Sequence, residues 1–529
     1  MENGISAVRF PELVIGIAGA LGVSMEEIVA SLSDALGAVS YRSVTIHVTK
    51  EIEAEVTNLP RPPGTDFLTE ANYKMDHANE VCRKYGSADT LMRFAMRAIR
   101  GHRADQAVDD QLGDETLAEE QVIPRTAYII RQLKRPEEVQ LLRKVYGKQF
   151  ILVSAYGSEE SRRSAIETKL KRSLPLNTPN FVINCHAEEL LHRDQSEGSE
   201  KTGQHLRDTF HLADVFVDGI TKSSMQATIN RFVHAFFGRT DVAPTKAEYG
   251  IYAAKSASLR STDLSRQVGA AIFSREGEVI AQGCNEVPKA FGGTYWDGEE
   301  PDFRDVKLGY DPNDVLKKEV VRDLLERLST GGMLSERAVA IGPAAAIVDA
   351  LLKKPVKGDP EGHGCLAEAA VTDLTEYGRV VHAEMGAICD AARLGRAVKG
   401  SILYCTTFPC HNCTKHLLAA GIQQVVYVEP YPKSKAKELH ENEVELERLS
   451  GERVSFMPFI GISPFRYRDI FEKGRRKAEG HAIKWISGEP KPMIDLSAPT
   501  YTDLESFELH KLDFKIQPIR QTSTGPDFQ

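Results

Sequence analysis

Two short strings, His382-Ala383-Glu384 and Pro409-Cys410-His411-Asn412-Cys413, restrict what this chain can fold into more than anything else in it. One histidine and a Cys-x-x-Cys pair are three donors of the kind zinc prefers. They stand on separate segments, so a fold that uses them must bring both segments to one point. Three protein ligands leave the fourth tetrahedral position open, and Glu384 is an acid not needed as a ligand. The pattern predicts that His382 opens one helix and that Cys410 and Cys413 sit at the start of another. Both sulfurs then face one ion from a helix N-terminus, where the dipole favours thiolate. The competing readings are a structural zinc site, which wants four protein ligands, and a redox turn; Glu384 favours a catalytic centre.

The rest of the composition narrows the setting. Cys185-His186-Ala187-Glu188 repeats the His-Ala-Glu string without a following Pro-Cys-x-x-Cys, and reads as coincidence on an ordinary helix or loop. Eight cysteines in 529 residues, mostly single, suit a reducing, cytoplasmic compartment; Cys365, Cys389 and Cys405 are expected to be buried packing thiols. No run of eighteen apolar residues predicts a membrane span, and Met1-Glu2-Asn3-Gly4 lacks the features of a secretory leader. The net charge is −9, and no basic stripe is visible, which favours a small substrate over a nucleic-acid polymer.

Strands alternating with helices predict an α/β protein with more than one domain. Residues 1–235 form the first, with strands at 13–17, 44–48, 150–155 and 215–217 and helices near 89–100, 136–146 and 161–172. Gly16, Gly19, Gly22 and Ser24 lie between a strand and a helix that opens with the capping-box string Ser24-Met25-Glu26-Glu27. That is where a phosphate loop belongs, yet Val23 holds the position of the lysine that a working loop needs. Regulatory nucleotide binding, an assembly role and kinase activity all stay open for it. The polar stretch 195–204 reads as a lid-like loop. A second domain spans 240–475, with a helix at 247–259, strands at 268–273 and 278–281, an insertion at 285–375, and then helix 383–394, strand 401–405, helix 411–420 and strand 424–428. Residues 476–529 are expected to be an extended tail.

The residues around the metal motif go further. Thr407-Phe408-Pro409-Cys410-His411-Asn412-Cys413-Thr414-Lys415, with Gly421-Ile422 and Val425-Val426-Tyr427, resembles the deoxycytidylate (dCMP) deaminases. Arg260-Ser261-Thr262-Asp263, Arg266-Gln267-Val268-Gly269-Ala270 and Gly283-Cys284-Asn285-Glu286-Val287-Pro288 are similar to that family's first helix, strand and loop. The resemblance covers about residues 247–430. It implies a cytidine-deaminase-like α/β/α sandwich, zinc (Zn2+) on His382, Cys410 and Cys413, proton transfer by Glu384, and Asn285 and Ala383 in the nucleotide pocket. Arg304 is a candidate partner for substrate phosphate or half of a surface ion pair. Gly386 stands where the family has Asn, so the resemblance implies that one hydrogen bond to the nucleotide is either missing or supplied elsewhere.

A P-loop-kinase-like parallel sheet ahead of such a domain resembles the bacterial antiphage dCTP/dCMP deaminases, and Asp208-Thr209-Phe210-His211-Leu212-Ala213-Asp214 supports that likeness. The resemblance implies conversion of dCMP or dCTP to the deoxyuridine nucleotide plus ammonia. It also implies a regulatory nucleotide at the N-terminal domain, a repressing RNA or protein, and a homo-oligomer. The alternatives are a polynucleotide or tRNA deaminase and a non-catalytic zinc-containing module that binds RNA or protein.

Overall fold

The computed structural model describes residues 9–513 apart from 65, 110–118, 196–202, 204, 355–362, 368, 375, 432, 486–488 and 495–499. The lid-like stretch 195–204 therefore lies almost wholly outside the described residues. The chain divides into two compact units. One runs to Glu248 and resumes at Phe459; the other is Tyr249–Pro458. The second unit is thus shorter than the 240–475 expected from sequence.

The first unit is built on β1 (Leu13–Gly19), α1 (Met25–Ala38), β2 (Arg42–His47), α2 (Thr90–Asp109), β3 (Thr126–Leu133), α3 (Pro136–Tyr146), β4 (Phe150–Tyr156), α4 (Glu159–Ser173), α5 (Asn180–Gln195), β5 (Val215–Asp218) and α6 (Lys222–Phe236). The strands lie in the order β2-β3-β1-β4-β5 and all run parallel. Every residue of β1 is buried, as a central strand covered on both faces requires. Sequence reasoning finds four of these strands and misses β3, which separates β1 from β2. The chain leaves β1 for one side of the sheet and crosses to the other after β3. The carboxyl end of β1 therefore lies at the switch point where open α/β sheets take ligands.

The second unit takes in α7 (Lys246–Ser258) from Tyr249 onward and carries β6 (Gly269–Phe273), β7 (Val279–Cys284), α8 (Pro312–Thr330), α9 (Ala383–Arg393), β8 (Ile402–Thr407), α10 (His411–Ala420), β9 (Gln424–Glu429), β10 (Val444–Leu446) and β11 (Val454–Pro458). Its sheet has the order β10-β11-β9-β8-β6-β7. The β10 to β8 side is parallel, and β6 is antiparallel to both β7 and β8. Ala270, Ile272, Ala383, Ala387, Leu403, Leu417, Val425 and Phe456 share one core. Inside the expected insertion, α8 packs Val321 and Leu325 on Ile347 and Val348, a small core of its own.

Residues 459–475, expected in the second domain, belong to the first unit, and a helix at Tyr501–Asp513 corrects the expectation of an extended tail over 476–529. Strand β12 (Gly461–Ile462) pairs antiparallel with β5, placing Ile462 beside Val215. Helix α11 (Tyr501–Asp513) docks through buried charge. Arg103 of α2 pairs with Glu12 at 2.8 Å and with Glu505 at 2.6 Å, all three side chains being at most 1% exposed. Arg93 meets Glu508 at 2.9 Å. Tyr146 donates to Glu505 and Tyr501 to Glu12, which completes the pairing that buried charges need.

Candidate metal centre and active site

His382 is the N-cap of α9 and Cys410 the N-cap of α10, so the two half-motifs meet as two helix N-termini. Both Cys410 Sγ and Cys413 Sγ lie 3.4 Å from His382 Nδ1, and the three donor atoms lie within 4.8 Å of one another. Bonds of about 2.3 Å to sulfur and about 2.0 Å to nitrogen at a tetrahedral angle span about 3.6 Å, so this donor set fits zinc. Among the described residues it is the one such group of donors.

The three donors are tightly coupled, and one thiol of the pair is favoured as thiolate. Its hydrogen bonds to Cys413 and His382 hold the Cys410 thiol far below its ordinary range, and the Cys413 thiol is pushed up by Cys410 and by burial. The Cys413 backbone amide also donates to Cys410 Sγ, the helix-terminal support for thiolate that the spacing predicts. The hydrogen bond to Cys410 raises His382. Glu384 is buried, its Oε2 is 3.5 Å from Cys413 Sγ, and burial lifts its carboxyl above the usual range. A carboxyl lifted in this way suits proton transfer near neutrality.

Gly283 makes the meeting of helix and sheet possible. A Cβ there would stand 2.2 Å from the Ala383 carbonyl oxygen and 2.5 Å from the Ala387 nitrogen. The first turn of α9 therefore rests directly on β7.

The remaining sequence candidates fall differently. Asn285 is buried, with Oδ1 accepting from the Val268 amide and Nδ2 donating to the Arg266 carbonyl, both at 2.7 Å. It braces the loop entering β6, leaving one N–H and part of its oxygen for other partners. Ala383 has its side chain in the core, so only its first-turn backbone can face a ligand. The Arg304 guanidinium is gripped by Asp302 at 2.7–3.0 Å, the ion-pair alternative rather than an open phosphate contact. Sequence reasoning missed Arg260, whose guanidinium stacks 3.4 Å over the Trp296 ring and donates to Thr294 while its Nε is buried without a partner. Its charge inside a quoted motif, with a rare tryptophan downstream, was the available signal. Of the expected packing thiols, Cys405 is buried but Cys365 and Cys389 are exposed. His186 lies on α5, an ordinary helix of the first unit.

The glycine loop of the first unit also needs correction. Gly16 is not in a loop: it is in the middle of β1, where Leu133 and Phe150 would stand 3.0 Å from a Cβ. Gly19 ends β1, Gly22 has φ +99°, and Ser24 is the N-cap of α1 without the side-chain bond a capping box requires.

Comparison with known proteins now bears on the second unit. Residues 244–429 match the family model described as the cytidine and deoxycytidylate deaminase zinc-binding region. A deoxycytidylate deaminase of Enterobacteria phage T2 is 44% identical over 55 residues, 10% of this chain and 29% of that protein. ComE operon protein 2 of Bacillus subtilis is 32% identical over 108 residues, 18% of this chain and 57% of that protein. The chain thus spans less than two thirds of these relatives. The apo dCMP deaminase of cyanophage S-TIM5 aligns over 41% of this chain and all of its own, at 17% identity and a TM-score of 0.20. His382, Glu384, Cys410 and Cys413 all fall inside the matched residues. Among the described residues, no helix is long and apolar enough to cross a membrane.

Proposed function

We propose that this protein hydrolyses the exocyclic amino group of deoxycytidine nucleotides, dCMP and dCTP, to give the deoxyuridine nucleotide and ammonia. The observation that carries the reading is Glu384: a buried carboxyl beside a His/Cys/Cys donor set, not itself part of that set. When bound by His382 Nδ1 and the sulfurs of Cys410 and Cys413, zinc supplies a Lewis acid that acidifies water at its open position. Glu384 takes a proton from the attacking water and places it on the pyrimidine N3 as oxygen bonds to C4. It then carries the second proton from that oxygen to the exocyclic nitrogen, the C4–N bond breaks, and ammonia leaves with C4 as a carbonyl. Burial of Glu384 keeps bulk water from competing for these protons.

For the substrate phosphate we assign Arg260 in preference to Arg304, because Asp302 already neutralises Arg304. Arg260 stands at the start of the segment that carries Asp263, a carboxylate that acts electrostatically on His382. The order of parts supports dCTP as a second substrate and pool depletion against phage as the biological use. A cytoplasmic location, a regulatory nucleotide at the first unit, a repressing RNA or protein and a homo-oligomer belong to the same proposal.

The test is ammonia release from dCMP, dCTP and single-stranded DNA by the zinc-loaded full chain, with Glu384→Gln alongside. The nucleotides should turn over, and the variant should lose about 10²- to 10⁴-fold in rate while keeping its zinc. Turnover of the oligonucleotide alone would sink the proposal.

A further inference from the structure

The loop after β1 is already occupied by a carboxylate of its own chain. Asp194, near the end of α5 and 2% exposed, accepts from the Leu21 amide through Oδ2 at 2.5 Å. Its Oδ1 meets Lys134 Nζ at 2.6 Å, and the same ammonium donates to the Gly19 carbonyl at 2.8 Å. Lys134 enters from the carboxyl end of β3, one residue beyond Leu133. A backbone amide in a glycine loop, a lysine and a helix N-terminus are the parts that hold a phosphate. Here the lysine missing at Val23 is supplied from a neighbouring strand, and the anion is Asp194.

A second cation at this end of the sheet has no carboxylate partner among the described residues. Arg162 of α4 is 8% exposed, and its Nη1 is buried without a partner. Its backbone and Cβ lie against Gly22, where a Cβ would come within 2.7–2.9 Å of them. Its Nε donates to the Gly157 carbonyl just past β4. In register, Gly19 of β1 stands opposite Ala155 of β4, so the Arg162 guanidinium lies at the same end of the sheet as the loop. The Ser24 side chain, which caps nothing, is at that end as well. Asp194 thus answers one of the two cations at this end of the sheet, Lys134, and leaves Arg162 without a carboxylate among the described residues.

We propose that Asp194 is a built-in stand-in for a ligand phosphate, and that the polyphosphate chain of a nucleotide enters this loop by displacing it. Entry leaves Lys134 and the Leu21 amide on the phosphate and brings Arg162 a partner. The inference rests on reading the first unit as the regulatory one. It adds that the unit is self-blocked, so binding there is weak until the last turn of α5 moves.

The probe is inorganic tripolyphosphate, titrated calorimetrically into the full-length zinc-loaded protein and into Asp194→Asn, which keeps the side-chain size but carries no anion. The variant should bind at least tenfold tighter than the unaltered chain, and the gain should vanish in Asp194→Asn combined with Lys134→Met. Asp194→Ser gives the same reading if the asparagine variant does not fold. Equal affinity in a folded Asp194 variant and the unaltered chain overturns the proposal, as does a gain that survives loss of Lys134. Ammonia release measured with and without tripolyphosphate separates the two readings. A variant that binds tightly with no change in deamination leaves the stand-in established and removes the regulatory role.

Discussion

Replacing Gly283 with alanine is the sharpest mechanical test of the metal centre. The residue lies on β7, outside the His/Cys/Glu set, so its substitution removes no chemical group. The added Cβ would stand 2.2 Å from the Ala383 carbonyl oxygen, against 3.4 Å for ordinary contact, so the first turn of α9 must retreat by about 1.2 Å. The atom in the way is helix backbone and cannot rotate aside. Ala383 is flanked by His382 and Glu384, so both move with it, while Cys410 and Cys413 on α10 stay. A 1 Å misplacement costs roughly 10²-fold in rate, and overpacking of this kind costs about 1–3 kcal/mol in stability. The assays are ammonia release at saturating dCMP, zinc content and the urea midpoint. The variant should fold with a lowered midpoint, lose about two orders of magnitude in turnover and hold zinc more weakly. Unaltered turnover and zinc content in Gly283→Ala would refute the claim that β7 sets the height of α9.

Cys413→Ala should lose zinc and activity together, since two ligands do not make a closed site; metal analysis of the purified variant checks this, and full zinc occupancy would remove Cys413 from the ligand set. Arg103→Met should destabilise the first unit by about 3–5 kcal/mol, because Glu12 and Glu505 are left buried without their counter-charge. Equilibrium urea unfolding reads that loss, and an unchanged midpoint would show that α11 does not depend on the pair.

The metal centre was legible because its residues carry chemistry that spacing cannot hide: three donors and an acid in two strings. Most strands were legible as apolar runs, yet β3 was not. Its apolar stretch is shorter than its eight residues, and it ends in Arg131-Gln132 before the final Leu133. Burial there follows from having β1 and β2 as neighbours, which the local sequence does not state. Helix α11 failed for a related reason. Its buried positions include Tyr501, Thr502, Glu505, Glu508 and Leu512, a helical spacing whose inward face contains two glutamates. Hydrophobic periodicity takes that face for a solvated one, because the arginines that make it burial-competent stand some four hundred residues earlier. Gly16 was misplaced because a glycine needed for close packing inside a strand looks the same in sequence as one needed for a turn. The pairing of Asp194 with Lys134 is likewise invisible until the sheet places them together.

The interrupted path of the first unit has a consequence for how the protein is made. The ribosome delivers the chain up to Glu248, then the whole of Tyr249–Pro458, and only afterwards β12 and α11. Until then β5 has an unpaired edge, and Arg103 lacks one of its two carboxylates. The second unit, continuous in the chain, is free to finish first, while the part that emerges earliest completes last. A nascent chain stalled before Glu505 would carry a formed metal centre on an unfinished partner, so quality control acting on the open first unit would also decide how much active site the cell keeps.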